Sequence, residues 1–242
     1  MYLYRVPVRC TCTSYRQHCT LYSCQVGSDR LSRATVAEHA LKLADAEGLD
    51  SVTIRRLAQE LGVTPMALYW HFKNKDELFL GIVDHALTGV KATREPDDPW
   101  QHQLRAMVDA LITVMRAHPC LTDLLHSMET RTAPSFARAT NDALELLTKG
   151  GYRLDEGYWV AHYLLNGCIG LVSAEPGCPS TMTPAEGAEW RRQKRLALEM
   201  LPKDEYPMLV AFARTLEDDP DVERYYRFGV DLLMAAIGSA KK

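Results

Sequence analysis

The stretch that decides the fold is residues 53–75, TIRRLAQELGVTPMALYWHFKNK. Apolar residues recur in its first half at i, i+3, i+4 and i+7, a spacing that predicts one buried face of a helix. The residues on this face are Ile54, Leu57, Ala58 and Leu61. Gly62 interrupts this helix, and Pro65 suits the first turn of the next because its missing N–H costs nothing there. Two short helices joined by a glycine-containing turn make a helix-turn-helix.

The second helix of such a motif enters the major groove of DNA, so the face that it leaves exposed matters most. Leu68 and Phe72 fall at i and i+4 and are expected to face the core. The residues left on the exposed side are Pro65, Met66, Ala67, Tyr69 and His71. An alanine or methionine there is suited to contact a thymine methyl group. Tyr69 and His71 are placed to reach phosphates.

Three residues beside this helix extend the expected contact with DNA. Thr53 and Arg55 stand at the start of the preceding helix, where they are placed to bind the sugar–phosphate backbone or a guanine edge. Lys75 begins the following helix, where its charge and the free backbone N–H groups favour a phosphate.

Helical periodicity extends from Leu31 to the end of the chain without convincing strand alternation, so the sequence predicts an all-α fold. The Pro- and Asp-rich residues 95–99 mark a boundary after the first four helices. The expected helices are 32–47, 53–61, 64–73, 75–93, 100–118, 121–128, 134–149, 155–173, 184–200, 206–216 and 221–237.

Charge is distributed unevenly along the 242 residues, although the net charge is only −3. Residues 1–75 carry +4 and residues 76–242 carry −7, which fits a nucleic-acid-facing part joined to one that faces something else. No apolar run reaches the roughly 18 residues that span a bilayer, so no membrane association is expected. The first residues lack the apolar core of a secretory signal. The expected location is therefore the cytoplasm, where disulfides are not expected.

Residues 1–28 are unlike the rest, since they mix Thr, Cys, Tyr, Ser and Arg without any period. The pattern predicts a disordered leader, either a natural arm or an upstream extension of the reading frame. An alternative is a metal site, although the spacing does not form recognised Cys-x-x-Cys pairs. The residues that would form it are Cys10, Cys12, His18, Cys19 and Cys24.

The segment Leu31–Leu80 resembles the tetracycline-repressor (TetR) family of bacterial one-component regulators. The motifs LAQELGV at 57–63 and LYWHFKNKDEL at 68–78 carry the resemblance. It implies DNA contacts from Thr53, Arg55, Pro65, Met66, Ala67, Tyr69, Trp70, His71 and Lys75. For Trp70 a second interpretation stays open, in which it packs between the motif and the fourth helix. Pro65 replaces the glutamine that the family's namesake has early in its recognition helix, so the operator sequence cannot be transferred.

The resemblance also divides the chain, after the leader, into an N-terminal helix-turn-helix DNA-binding domain (29–78) and a larger C-terminal helical domain for ligand binding and dimerisation (79–242). Helix-turn-helix proteins usually bind two half-sites as dimers. The segments that match the family's dimer helices are 155–173 and 221–237, so a homodimer is expected.

A ligand cavity is expected among the C-terminal helices. Its candidate lining is Met107, Leu111, Met115, Leu125, Met128, Phe136, His162, Tyr163 and Asn166. The alternative is ordinary core, because apolar residues at helical spacing are usually buried. His162 and Asn166 share a helix face at i and i+4, either as ligand contacts or as interface or capping hydrogen bonds. No His–carboxylate set has metal-ligand spacing, so neither a metal nor another cofactor is expected.

These features predict a repressor of transcription that a small, largely apolar effector releases from double-stranded operator DNA. The ligand would shift the fourth helix, with coupling through Val90, Lys91 and Ala92. This shift would change the separation of the two helix-turn-helix motifs of a dimer, which we call the reading heads. An activator or a ligand-independent regulator remains an alternative. An enzyme is not expected, because no phosphate loop, nucleophile elbow or spaced pair of carboxylates is present. A purely structural DNA binder would need more positive charge.

Overall fold

The computed structural model describes residues 31–93, 95, 97–127, 132–176 and 183–239. The expected leader, with its candidate metal site, and Met128 therefore lie outside the described residues. From Ser32 onward the chain forms one structural unit. Throughout this described part the secondary structure is helical, with no strand. The all-α prediction is confirmed.

Eleven α-helices, with three short 3-10 segments, make up the described chain. The α-helices are α1 (Arg33–Glu47), α2 (Ile54–Glu60), α3 (Pro65–Tyr69), α4 (Lys75–Ala86), α5 (Trp100–Ala117), α6 (Cys120–Ser127), α7 (Pro134–Lys149), α8 (Leu154–Ser173), α9 (Pro184–Glu199), α10 (Pro207–Ala213) and α11 (Val222–Ser239). The 3-10 segments are Leu49–Ser51, Leu87–Gly89 and Arg214–Leu216.

Each of the first four helices begins at a side chain that accepts a backbone N–H of its first turn. The capping residues are Ser32, Thr53, Thr64 and Asn74. A cap of this kind stabilises a helix by about 1 kcal/mol. Gly48 and Gly62 follow α1 and α2 with φ of 83° and 65°, a left-handed region that glycine adopts without strain. Local sequence therefore determines where these helices begin and end.

The helix-turn-helix is held on α1 and α4 by a fully buried apolar cluster. Leu57 of α2, Leu68 of α3 and Phe72 meet Val36 of α1 and Ile82 of α4 in this cluster, and none is exposed to solvent. The expected inward orientation of Leu68 and Phe72 is therefore confirmed. The division expected at residue 78 falls inside α4, which runs unbroken from the reading head into the C-terminal part.

The fourth helix is shorter than expected, ending at Ala86 rather than at residue 93. After it the chain makes the 3-10 turn Leu87–Gly89 and then leaves the helical path. Ala92 donates its N–H to the buried carboxylate of Asp142, with N and Oδ2 separated by 3.0 Å. Because this partner lies 50 residues further along the chain, local periodicity could not indicate it.

The C-terminal part is built around α5, α7 and α8, which pack against one another. α11 packs on α8 and α5, and α9 pairs with α10. Gly167 of α8 and Gly229 of α11 allow the close approach of their helices, because a Cβ there would lie 2.6 Å from Leu233 and 2.3 Å from Leu171, respectively. Tyr152 donates its hydroxyl to the Ile237 carbonyl and so ties α11 to the start of α8. Across the described helices, none is both long and apolar enough to cross a membrane.

Candidate nucleic-acid interface and ligand cavity

The solvent-facing side of α3 forms an exposed tip with large side chains. Met66 is 67% exposed, Tyr69 47% and Trp70 85%. Pro65 is exposed as well, whereas Ala67 and His71 are half-buried. We call these six residues, Pro65–Ala67 and Tyr69–His71, the reading tip. The interpretation in which Trp70 packs between the motif and the fourth helix is wrong, because its indole lies almost entirely in solvent.

Arg55 and Arg56 differ in role although they are adjacent. Arg56 binds Glu47 of α1 at 2.8 Å and Glu60 at 3.1 Å, and the bond to Glu47 is the main reason why the pKa of its guanidinium is raised. Arg56 therefore fastens α2 to α1. Arg55 is exposed to solvent. Thr53, also exposed, accepts the Arg56 N–H at 3.1 Å as the cap of α2.

Arg33 at the start of α1 holds the end of the reading tip, a role that the sequence pattern did not indicate. Its Nη1 donates to the His71 carbonyl at 2.7 Å, and its guanidinium lies 4.3 Å from the centre of the Phe72 ring. The first turn of α4 is also organised. Glu77 accepts the Lys73 N–H at 2.9 Å, and Lys75 Nζ lies 5.0 Å from the centre of the Phe79 ring.

A cavity of about 360 Å³ lies between α5, α7 and α8, against the end of α4. Its wall is predominantly apolar, with Leu104, Val108 and Leu144 among the contributing residues. Its polar lining residues are on α7 and α8, namely Thr140, Asn141, Tyr158, His162 and Cys168. Within the described part of the chain, no Asp, Glu, Lys or Arg lines the cavity. Burial raises the pKa of the Cys168 thiol to about 12, so this group is neutral at physiological pH.

The structure distributes the nine expected cavity residues over several places. Met107, Leu111, Phe136 and His162 line the cavity. Met115 and Leu125 are buried elsewhere in the core, whereas Tyr163 and Asn166 are exposed on the outer side of α8. Met128 lies outside the described residues. Core and cavity walls share the same helical period, so the pattern alone did not separate Met107 from Met115.

Several cavity residues were missed by the sequence pattern. Leu87 and Val90, in the turn that follows α4, line the cavity, and so do Thr140 and Asn141 on α7. The sequence of α7 did contain a signal for a cavity wall, because the polar residues Thr140 and Asn141 fall on the same helix face as the apolar Phe136 and Leu144. Tyr158 and Leu144 also border a shallow surface depression with Arg153 and Trp159, so the cavity lies next to an opening at the start of α8.

His162 and Asn166 form a hydrogen-bonded pair within α8. The Asn166 side-chain nitrogen donates to the His162 carbonyl at 2.8 Å and lies 3.1 Å from His162 Nε2. Because this nitrogen can only donate, Nε2 must accept, and a neutral His162 therefore carries its proton on Nδ1. Both residues lie in the middle of α8, so this contact is not a helix cap, and a role of the pair in ligand binding or in an interface stays a prediction. His162 also borders the cavity.

The outer sides of α8 and α11 expose large apolar residues. These are Leu154, Tyr158, Trp159 and Tyr163 on α8, with Phe228 and Leu232 on α11. Gly167 packs against Leu233 of its own chain. Gly170 has open space above it. Among the described residues, no group of three or more His, Cys, Asp or Glu side chains could hold a metal ion.

Comparison with protein families matches nearly all of this architecture. Residues 36–82 match the model of bacterial regulatory proteins of the tetR family, and residues 92–239 match the tetracyclin repressor-like C-terminal domain. The class E tetracycline repressor protein of Escherichia coli is 30% identical over 149 residues, which cover 60% of this chain and 69% of that protein. The HTH-type transcriptional repressor DrrR1 of Streptomyces coeruleorubidus is 28% identical over 211 residues, covering 82% and 74% of the two chains.

Solved structures agree with the sequence matches. The crystal structure of ActR, a TetR family protein of Streptomyces coelicolor, in complex with actinorhodin superposes with a TM-score of 0.73 and 25% identity, covering 88% of this chain and 97% of that one. The reading head and the helical body thus have relatives both in sequence and in fold. The chain belongs to the tetR family of bacterial regulatory proteins, which are DNA-binding regulators of transcription.

Proposed function

We propose that the protein is a cytoplasmic repressor that binds double-stranded operator DNA as a homodimer and is released by a small, largely apolar ligand. The observation that carries this proposal is that the cavity is lined by Leu87 and Val90, in the turn that directly follows α4. A ligand seated there touches the segment whose position orients α3. On this proposal the protein is a regulator and not an enzyme.

For DNA, we propose that the reading tip enters the major groove. Met66 and Ala67 would meet thymine methyl groups, and Tyr69, Trp70 and His71 would meet the edges of the groove. Thr53, Arg55 and Lys75 would bind the backbone on either side. Phosphate contacts position a protein on DNA, whereas base contacts specify the sequence. The exposure of Arg55 beside the paired Arg56 supports this assignment.

For the ligand, the cavity favours a neutral, largely apolar molecule with one polar edge. The α5 wall offers only apolar side chains, whereas Thr140, Asn141, Tyr158 and His162 offer hydrogen bonds from the opposite side. ActR, a TetR family protein of similar fold, has been crystallised in complex with actinorhodin. We therefore propose a largely apolar effector that carries hydrogen-bonding groups along one edge.

The DNA part of the proposal is tested by selecting an operator from the DNA upstream of the gene and measuring affinity by gel shift. Tyr69→Ala and Lys75→Ala should weaken binding about tenfold each, on the scale of a lost charged or aromatic contact. Lys149→Ala, which removes the same charge from the far end of α7, is the control and should bind normally. Unchanged affinity in both reading-head variants would contradict the proposed contacts.

The ligand part is tested by thermal shift and by release from the operator, with actinorhodin and other lipophilic aromatics as probes. A compound bound at 100 times its Kd should stabilise the protein by about 2.7 kcal/mol. The same compound should lower operator affinity. If no lipophilic compound stabilises the protein, the ligand-independent regulator is favoured instead. If transcription of the target gene falls in a deletion strain, the protein is an activator.

A further inference from the structure

The start of α7 is joined to α4 by a charged hydrogen bond. Asp84 of α4 accepts the backbone N–H of Ser135 at 2.7 Å, and Ser135 is buried in the first turn of α7. A carboxylate at a helix N-terminus is favoured by the helix dipole as well as by the hydrogen bond. The bond therefore fixes the position of α4 relative to this end of α7.

The middle of α7 holds the chain that follows α4. Asp142 is only 1% exposed, and its carboxylate accepts the Ala92 N–H at 3.0 Å. A buried carboxylate is costly unless hydrogen bonds satisfy it, so removing this contact is strongly unfavourable. α7 is therefore hydrogen-bonded to α4 at Asp84 and to the segment after α4 at Ala92.

Both hydrogen bonds of α7 lie next to cavity-lining residues. Phe136 follows Ser135 directly, and Asn141 and Ala143 flank Asp142. A ligand that pushes these side chains therefore moves the same turns of α7 that hold α4.

A second contact joins α1 to the start of α6 and to the turn before it. Asp45 of α1 lies 2.6 Å from His118 Nδ1 and 3.4 Å from Cys120 Sγ. No described residue of 118–127 lines the cavity. The contact therefore joins the reading head (α1–α4) to the C-terminal helices (the body, α5–α11) at a place that the ligand does not touch. It is suited to be a fixed point around which the head turns.

We propose that α7 is the element that transmits ligand binding to the reading head, with Asp84 as its positioning residue and the Asp45–His118 contact as the pivot. The proposal rests on the proposed function, since it specifies how the cavity regulates the head. It assigns the transmission to two hydrogen bonds, Asp84 with Ser135 and Asp142 with Ala92, and the first can be removed without altering the cavity wall.

The test measures the distance between the head and the body in the free, full-length protein. Spin labels are attached to ketone-bearing amino acids at Gln59 of α2 and Gln101 of α5, so that all native cysteines stay in place. The wild type should show one narrow distance distribution. Asp84→Ala should broaden or displace it by roughly 1–2 Å, the size of helix shifts at switching interfaces. Asp84→Asn should restore it, because the amide oxygen still accepts the Ser135 N–H.

Two further variants separate transmission from a merely structural role. Asp50→Ala removes the same charge from an exposed position of the head and should leave the distribution unchanged. Ala139→Leu crowds the cavity from α7 and should displace the head in the wild-type background, but not with Asp84→Ala. If circular dichroism shows that Asp84→Ala is unfolded, Asp84→Leu keeps the shape without the acceptor.

The proposal is overturned if Asp84→Ala leaves the distances unchanged, or if Ala139→Leu displaces the head equally with and without Asp84. Neither readout requires DNA or a ligand. A protein that selects no operator but shows the expected distances would therefore contradict the proposed function and leave the transmission standing.

Discussion

Trp70 and Phe72 are two residues apart and have opposite environments. Trp70 leaves 85% of its surface in solvent, whereas Phe72 is fully buried between α3, α4 and the Arg33 guanidinium. An exposed indole contributes little to folding, so its position at the end of α3 fits binding rather than stability. The two residues therefore allow DNA binding and folding to be separated by single substitutions.

Trp70→Ala should lower operator affinity by about tenfold, because interface aromatics commonly contribute more than about 1 kcal/mol. Its thermal midpoint should stay within about 2 °C of the wild type, since little packing is lost. Phe72→Ala should lose about 3–5 kcal/mol of unfolding free energy. Gel shifts and denaturant unfolding check the pair. A Trp70 variant that unfolds as easily as the Phe72 variant would show that Trp70 is structural.

At the scale of the element, α4 depends on a glycine that local propensity disfavours. Gly81 lies in the middle of the helix, where glycine costs about 1 kcal/mol relative to alanine. A Cβ there would lie 2.4 Å from Phe72 Cε1, closer than packed atoms allow. The missing side chain therefore makes room for the ring that closes the reading-head core.

Gly81→Ala should destabilise the protein by about 1–2 kcal/mol, because the cost of overpacking, about 1–3 kcal/mol, outweighs the gain in helix propensity. Gly89→Ala is the matched control, since a Cβ at Gly89 meets no atom within 4 Å. Denaturant unfolding compares the two, and adding Phe72→Leu should recover part of the loss. Equal stability of both alanine variants would contradict the close approach.

At the scale of the whole molecule, the outer face of α8 and α11 exposes several large apolar side chains. Trp159, Tyr163, Phe228 and Leu232 stand exposed on two helices that pack side by side. Large apolar patches on a protein surface mark interaction sites. A second copy bound through this face would set the spacing of two reading heads, as binding to paired half-sites requires.

Phe228→Glu should convert the dimer into monomers at micromolar concentration, because it places a charge in an apolar contact. Light scattering after size-exclusion chromatography measures the mass. Met66→Glu makes the same kind of change on the reading tip and should stay dimeric while losing operator binding. The proposed interface is wrong if Phe228→Glu remains a dimer with the wild-type mass.

Local sequence was sufficient for most helix boundaries, though not for the ends of α3 and α4, and for the two sides of the reading head. Caps such as Thr53 and Asn74, glycines after α1 and α2, and the spacing of Leu57, Leu68 and Phe72 act between residues a few positions apart. The predicted boundaries of α5, α7 and α8 differ from those observed by at most one residue. These features were readable because helix formation and amphipathic burial are governed by neighbours within one or two turns.

Tertiary structure alone decided the cavity and the links between head and body. Met107 and Met115 follow the same period on α5, yet one lines a space between three helices and the other fills the core. The hydrogen bonds of Asp84 and Asp142 join residues about 50 positions apart in the chain. The early end of α4 was likewise not contained in the local pattern. Such features depend on how separate helices meet, and a periodic pattern contains the face of each helix but not the space left between them.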